Sequence, residues 1–364
     1  MYKKEKTTIF KKILRVIYSL YVDIIFALNH FFAKKSKNLN IYFGGAYAGN
    51  LGGTLVKIKR LKNFFKENII GFNILYLLSN SIYYHYNFLK LIKKKVPIIH
   101  NQNGVFYEAW FEGDWRGSNH KMSNQLHLSD YVFYQSIFCK FSADKYLGKR
   151  NKNYEILYNA CDIKKFKPNS NKKINKKKIQ ILMTGTYRDY MFPGLSASIK
   201  AVGLLKKKIN VSLNIEGKID KNLKIRIKDV INKLDLEKNI FLNGEYSQEA
   251  APKIYQKNDL YFFMIHNAPC PNALIEAIAS GLPVVYLNSG ASKEIVKKAG
   301  VGIKSKPNWK YFSEINPQLI NNATLKILKS YKSYSKEGRK NAIKNHNIKN
   351  WIIRHQEIFK QFSS

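Results

Sequence analysis

The sequence predicts an α/β protein made of two doubly wound, Rossmann-like domains facing each other across a cleft, preceded by an amphipathic helix. Three observations lead there. The chain has 364 residues, enough for two domains of ordinary size. From about residue 39 onward, short continuous apolar runs alternate with segments of helical period. That alternation breaks once, at the polar and charged "PNSNKKINKKK" of residues 168–178, which reads as a linker. Continuous apolar strands imply a parallel sheet covered on both faces, because a sheet with one wet face would alternate apolar and polar residues. The expected units are a basic amphipathic segment at 1–37, a first domain at 38–168 and a second at 169–345. A final helix at 346–364 is expected to pack back on the first domain.

The N-terminal run "IFKKILRVIYSLYVDIIFALNHFFAKK" is apolar but interrupted by Asp23, Asn29 and His30. As a helix, Ile17 to Phe32 rises only about 24 Å, short of the roughly 30 Å hydrocarbon core. No small-residue cleavage site follows, which argues against a signal peptide. Lys3, Lys4, Lys6, Lys11, Lys12 and Arg15 precede the run, and Lys34, Lys35 and Lys37 follow it. The pattern fits an interfacial helix held to an anionic cytoplasmic leaflet. A spanning anchor and a helix packed on the protein itself are the alternatives.

In the first domain, "NLNIYFGGA", "FNILYLLS", "VPIIH", "DYVFYQS" and "NYEILYN" are the strand candidates, with "LVKIKRLKNFF" helical between the first two. In the second, "IQILMTG", "VSLNIEG", "NIFLNG", "DLYFFMI" and "LPVVYL" are strands separated by helical stretches. The closing "NWIIRHQEIFKQF" has apolar residues at 351, 352, 358, 359 and 362, one helical face. With 45% hydrophobic and 14% aromatic residues there is ample material for two cores.

The formal charge of +39 favours anionic partners, although lysines spread over most of the chain equally describe compositional drift. No basic stripe, helix-turn-helix, zinc or RNA-reading motif appears, so no specific nucleic acid is expected. Cys139, Cys161 and Cys270 are far apart without metal-ligand spacing, which points to a reducing compartment and ordinary buried thiols.

The segment "CPNALIEAIASGLPVV" at 270–285 holds one carboxylate among small and apolar residues. Pro271 suits a helix start, Gly281 its end, and Pro283 forbids continuation. A helix beginning just after the strand "DLYFFMI" puts its first amides at the carboxyl edge of the sheet, where doubly wound folds bind ligands and helix N-termini favour phosphate. Glu276 then falls in the second turn, able to accept hydrogen bonds from a diol such as a ribose. An exposed helix glutamate is the alternative.

This segment, with "NSGASKEIVKKAGVGI" after it, resembles the donor-site signature of the group-1 retaining glycosyltransferases of GT-B architecture. "ILYNACDIKKFKP", "ILMTGTYRDYMFPG", "NIFLNGEYSQEAAPKIYQKNDLYFFMI" and "IYFGGAYAGNLGGTLVKIKRL" resemble other stretches of that family in order, the likeness running over residues 39–345 and strongest in the second half. The resemblance implies an enzyme that moves a hexose-type sugar, with retention, from a nucleotide-sugar to a hydroxyl of a glycan or lipid-linked acceptor. It implies no cofactor and no catalytic metal. By the same resemblance Glu276 binds the donor ribose, and the backbone of Asn272, Ala273 and Leu274, together with Gly185, holds the diphosphate. Electrostatic stabilisation of the departing phosphate is then the main catalytic effect. Gly45, Gly52 and Gly53 are the expected acceptor-side loop, and His100 is a candidate contact to the transferred sugar. For His100 a satisfied structural histidine is the alternative.

The sequence departs from the family pattern at defined places. Ala268 stands where a first signature glutamate is common. Thr186 follows the loop Gly185 in place of an arginine, leaving Arg188, two residues on, as the candidate phosphate cation, and Pro193 precedes Gly194 in place of a lysine. A non-catalytic donor-binding or assembly subunit on the same fold is therefore the alternative function. A nucleic-acid-directed sugar transferase ranks below it. The expected setting is the cytoplasmic face of the membrane, in synthesis of a cell-surface polysaccharide or glycolipid.

Overall fold

A computed structural model describes residues 9–33, 38–49, 53–305 and 308–363. Helix α1 (Ile9–Phe32) leads into a domain built from β1 (Ile41–Tyr42), α2 (Gly53–Lys62), β2 (Ile74–Leu78), α3 (Tyr86–Lys93), β3 (Ile98–Gln102), α4 (Trp115–Leu128), β4 (Tyr131–Tyr134), α5 (Ile137–Tyr146) and β5 (Tyr154–Ile156). The five strands are all parallel and lie in the order β1-β2-β3-β4-β5. Outside β1, Glu67 makes an isolated parallel bridge to Ile41. The chain therefore leaves β1 in one direction and returns to β2 in the other. That reversal puts α2 and α3 on opposite faces, the double winding expected from the buried strands. Ile58 and Leu61 of α2 pack on Ile74, Tyr76 and Leu78, while Leu89 and Ile92 of α3 pack on Leu75, Leu77 and Ile98.

The second domain runs β6 (Lys178–Thr184), α6 (Phe192–Leu205), β7 (Asn210–Glu216), α7 (Lys221–Asn232), β8 (Ile240–Gly244), α8 (Ala251–Lys257), β9 (Leu260–Phe263), α9 (Asn272–Ala279), β10 (Val284–Asn288), α10 (Ser292–Val296), β11 (Gly300–Lys304), α11 (Pro317–Lys329) and α12 (Tyr331–Asn345). Its six parallel strands lie β11-β10-β9-β6-β7-β8, so the order reverses between β6 and β9. Successive residues alternate between two cores: Ile181 and Phe262 face α6, α7 and α11, whereas Leu182 and Tyr261 face α8, α9 and α12.

The last helix, α13 (Ile348–Ser363), crosses back and packs Trp351, Ile352, Ile358 and Phe359 against Tyr76 and Phe133 of the first domain. Each such side chain contributes about 1.5–3 kcal/mol by leaving water. The two crossings between domains lie side by side: Cys161 donates to the carbonyl of His346 (2.9 Å) and its carbonyl accepts from Ile348 (3.0 Å).

Helix α1 is amphipathic, and its polar residues Asp23 and Asn29 face inward. Asn29 exchanges two hydrogen bonds with the backbone of Phe72, both 3.0 Å. Asp23 is buried and accepts from the amide and the ring of His85. Val22, Ile25 and Phe26 complete the inward face, and the outward face is almost wholly apolar. No helix among the described residues is long and apolar enough to cross a membrane.

Three histidines are buried without acidic partners. His100 accepts from the Gln125 amide at Nδ1 (2.7 Å) and donates to Gln102 from Nε2 (2.8 Å), a fully occupied neutral ring. His355 lies between the Trp351 carbonyl (2.8 Å) and the Tyr76 hydroxyl (3.0 Å). His346 bonds the Asn159 carbonyl (3.0 Å). Burial lowers His100 and His346 to about 4 and His355 to about 3. The unfolded chain, with histidines near the usual 6.5, binds more protons between those values. The histidines' contribution to stability is thus intact above pH 6.5 and falls as pH drops toward 4, by roughly 1.4 kcal/mol per pH unit for each histidine. Urea midpoints should decline steeply from pH 6.5 downward. A flat profile between pH 7 and 5 would contradict this burial.

Candidate active site

A cleft of about 1180 Å³ separates the two domains and is lined by both. One wall comes from the carboxyl ends of the second sheet, at the strand-order reversal. There β6 ends at Thr184 and runs on into Gly185 and Thr186, and the loop after β9 leads into α9. Gly217, after β7, holds φ at +112°, and a Cβ there would fall 1.9 Å from the Gly185 carbonyl oxygen. Only glycine lets these two loops touch.

Helix α9 starts with Pro271 as its N-cap and ends in a double closure. Gly281, at φ +77°, and Leu282 return their amides to Ile278 (3.1 Å) and Ala277 (3.0 Å). Leu274, Ile275, Ala277 and Ile278 are enclosed in the core, which fixes the opposite side of the helix toward the cleft. Asn272, Ala273 and Glu276 line it. Glu276 retains 16 % side-chain exposure and lies between a hydroxyl and a guanidinium. Tyr255 donates to it at 3.3 Å, and Arg60 of α2 approaches to 3.6 Å from the other domain. Tyr255 shares hydrogen bonds with Thr184, which also meets the Tyr261 hydroxyl. Burial raises the Glu276 carboxyl; Arg60 and then the Tyr255 hydroxyl oppose that rise.

The loop before α9 is stitched to the first domain. Ser136 donates to the Pro269 carbonyl (2.6 Å), and Asn159 donates to the Cys270 carbonyl (2.9 Å). Behind it, Glu294 of α10 accepts from the first two amides of α5, Ile137 and Phe138, both at 2.8 Å. These amides have no partner within their own helix, so the carboxylate caps it from across the domain boundary.

The other end of the cleft is aromatic. Phe106 and Trp110 stack at 5.2 Å, and Trp309 and Phe312 approach from the second domain. The Trp309 carbonyl accepts from Ala109 (3.0 Å), tying that segment across the cleft.

Several expected site residues stand elsewhere. His100 does not reach the cleft: it is enclosed, with both ring nitrogens taken by amides. Arg188 is not part of the lining and pairs at 3.0 Å with Asp220, the residue just before α7. The Leu274 amide is bonded to the Pro271 carbonyl (3.2 Å) and its side chain is in the core. Gly45 packs on α1, where a Cβ would fall 2.8 Å from Val22 Cγ2. Gly53 lines the cleft at the start of α2, as does Gly185, and Gly52 lies outside the described residues. Ala268 presents only a methyl group at the wall. Gly194, after Pro193, closes α6 onto β9, a Cβ there meeting the Met264 carbonyl oxygen at 2.0 Å.

Arg60, Tyr255 and Thr184 were not singled out in the sequence. Arg60 and Tyr255 meet Glu276, and Thr184 meets Tyr255, across long stretches of chain, so no local spacing marks them. Lys57, one turn before Arg60, is enclosed; its ammonium bonds Asn101 (2.6 Å), and burial lowers its pKa to about 7.

Residues 150–341, more than half of the chain, match the family model described as "Glycosyl transferases group 1". Protein CapJ of Staphylococcus aureus is 26% identical over 217 residues, an alignment covering 57% of this chain and only 54%, about half, of that protein's length. Among solved structures, Anabaena Alr3699/HepE in complex with UDP-glucose superposes with a TM-score of 0.63 at 13% identity, covering 85% of this chain and 82% of that one. A glycosyltransferase from Rickettsia africae gives 0.63 at 17% identity, covering 85% and 88%. With two facing Rossmann-like sheets, a cleft between them and the matched stretch spanning its second wall, the chain belongs to the group 1 glycosyl transferases and has their GT-B fold.

Proposed function

We propose that the protein transfers a sugar, with retention, from a nucleotide-sugar to a hydroxyl of a glycan or lipid-linked acceptor in cell-surface polysaccharide or glycolipid synthesis. The observation that carries this reading is Glu276, held between Tyr255 and Arg60 one turn inside an α9 start that opens on the cleft. A carboxylate in that place accepts both hydroxyls of a vicinal diol, and the Asn272 and Ala273 amides suit a diphosphate. In the transfer, the bond from the anomeric carbon to the diphosphate breaks and one to the acceptor oxygen forms. The acceptor proton leaves with the nucleoside diphosphate. The positive end of α9, with Lys218 nearby in the cleft lining, stabilises the charge growing on the leaving group. No metal is assigned a role.

At the aromatic end, Phe106, Trp110 and Trp309 offer apolar ring faces on which an acceptor sugar can stack. Because a structural neighbour carries UDP-glucose, uridine diphosphate sugars are the first donors to test. Ala268 and Arg188, which is not part of the lining, support a second reading, donor binding without turnover. Nucleotide-sugar that binds and is never transferred to any acceptor would favour it. Calorimetric titration with UDP, GDP, ADP and their sugar conjugates should reveal one donor at micromolar strength. Glu276→Gln should weaken it at least tenfold; unchanged affinity would remove the ribose role.

The membrane face is assigned to α1. Phe10, Ile13, Ile17, Leu20, Ile24 and Phe31 are each 51–79 % exposed on one outward face, with Lys11 and Arg15 exposed beside them. Such a face fits the headgroup boundary of an anionic leaflet. The three free, buried cysteines suit its cytoplasmic side. Replacing Ile13, Ile17, Leu20 and Ile24 together by Gln should cut partition onto phosphatidylserine-containing vesicles more than tenfold while leaving the melting temperature nearly unchanged. Undiminished vesicle binding would move the membrane contact elsewhere.

A further inference from the structure

Arg60 is the one arginine among the described residues that line the cleft, and it comes from the domain opposite α9. Its side chain links three parts of the chain. It grows from α2, donates to the carbonyl of Ala160 on the crossing strand, and faces Glu276 at 3.6 Å. That last distance is an ion pair without a hydrogen bond, so the fork has N–H groups to spare.

We propose that Arg60 is a positioning residue for the donor, the shared counter-charge that pairs with Glu276 in the ligand-free cleft and with the donor's diphosphate once ribose hydroxyls occupy that carboxylate. The inference rests on the donor-site reading above and adds to it a contribution from the first domain. The geometry supports the sharing. Asn272 and Glu276 are four residues apart on α9, about 6 Å along its axis, within the sweep of one arginine side chain. A diol is neutral and does not displace the cation beside a half-buried carboxylate, so Arg60 stays near Glu276 when ribose binds. A diphosphate at the start of α9 adds further negative charge on the same side. A planar donor fork fits both carboxylate and phosphate oxygens. Arg188, the other expected cation, is committed to Asp220 outside the lining. Because Arg60 also holds the Ala160 carbonyl, donor charge is felt at the crossing between domains.

The test is the pH dependence of affinity, by calorimetry, for whichever of UDP, GDP and ADP the wild-type protein binds, and for the parent nucleoside. Arg60→Ala should weaken the diphosphate at least tenfold at pH 8 and leave the nucleoside nearly unchanged there. It should also move the acid limb of binding to higher pH, because Glu276 has lost its cation. In Glu276→Gln that limb should vanish. Arg60→Lys, which keeps the charge, should leave the limb in place with intermediate diphosphate affinity, and it serves if the alanine variant folds poorly. Equal loss of diphosphate and nucleoside at every pH, or no loss and no shift, would overturn the role of Arg60 while leaving the donor site standing. Failure of the wild-type protein to bind any of the three would overturn both.

Discussion

The arrangement depends on one constraint, the pairing of the two chain crossings between domains. Cys161 and Asn347 run parallel and exchange backbone hydrogen bonds on either side, so the chain passes to the second domain and returns at a single seam. His346 ties that seam to Asn159. Arg339 collects the carbonyls of Ile163, Phe166 and Ala279, joining the crossing to the end of α9. Asn159, in turn, bonds Gln135 of the first domain and the Cys270 carbonyl of the second. The α9 start is therefore positioned by both domains and not by its own sheet alone.

That answers why a helix with so apolar a sequence keeps one carboxylate. Five side chains of α9 are buried in the core, and Glu276 faces the cleft with Asn272 at the helix start. Burial alone would favour its neutral form; a hydroxyl from α8 and a guanidinium from α2 oppose this. The groups that oppose that rise come from parts of the chain that meet only when the two domains are assembled.

The architecture was legible because it rests on contiguous signals, continuous apolar strands and helical periods between them; the crossing itself lies at Cys161, ahead of the polar stretch at 168–178, and Phe166 already packs in the second domain. The α9 segment was legible for the same reason, since its Pro, Glu and Gly lie within a dozen residues. What escaped were pairings between distant residues. Arg188 has a suitable position in its loop, but Asp220, 32 residues on, takes it. His100 opens the polar run that ends its strand, yet Gln102 and Gln125 enclose its ring. Gly45 looked like ligand-binding backbone, and its neighbour is α1, to which Tyr18 adds a bond with the Gly45 carbonyl. The amphipathic character of α1 was plain, whereas the use of Asp23 and Asn29 as inward anchors depends on His85 and Phe72.

The most direct measurement is a crystal structure with the preferred nucleoside diphosphate bound. The account predicts both ribose hydroxyls on Glu276, the diphosphate at the Asn272 and Ala273 amides, and Arg60 within reach of both. A nucleotide seated away from Glu276, or at the aromatic end of the cleft, would contradict it.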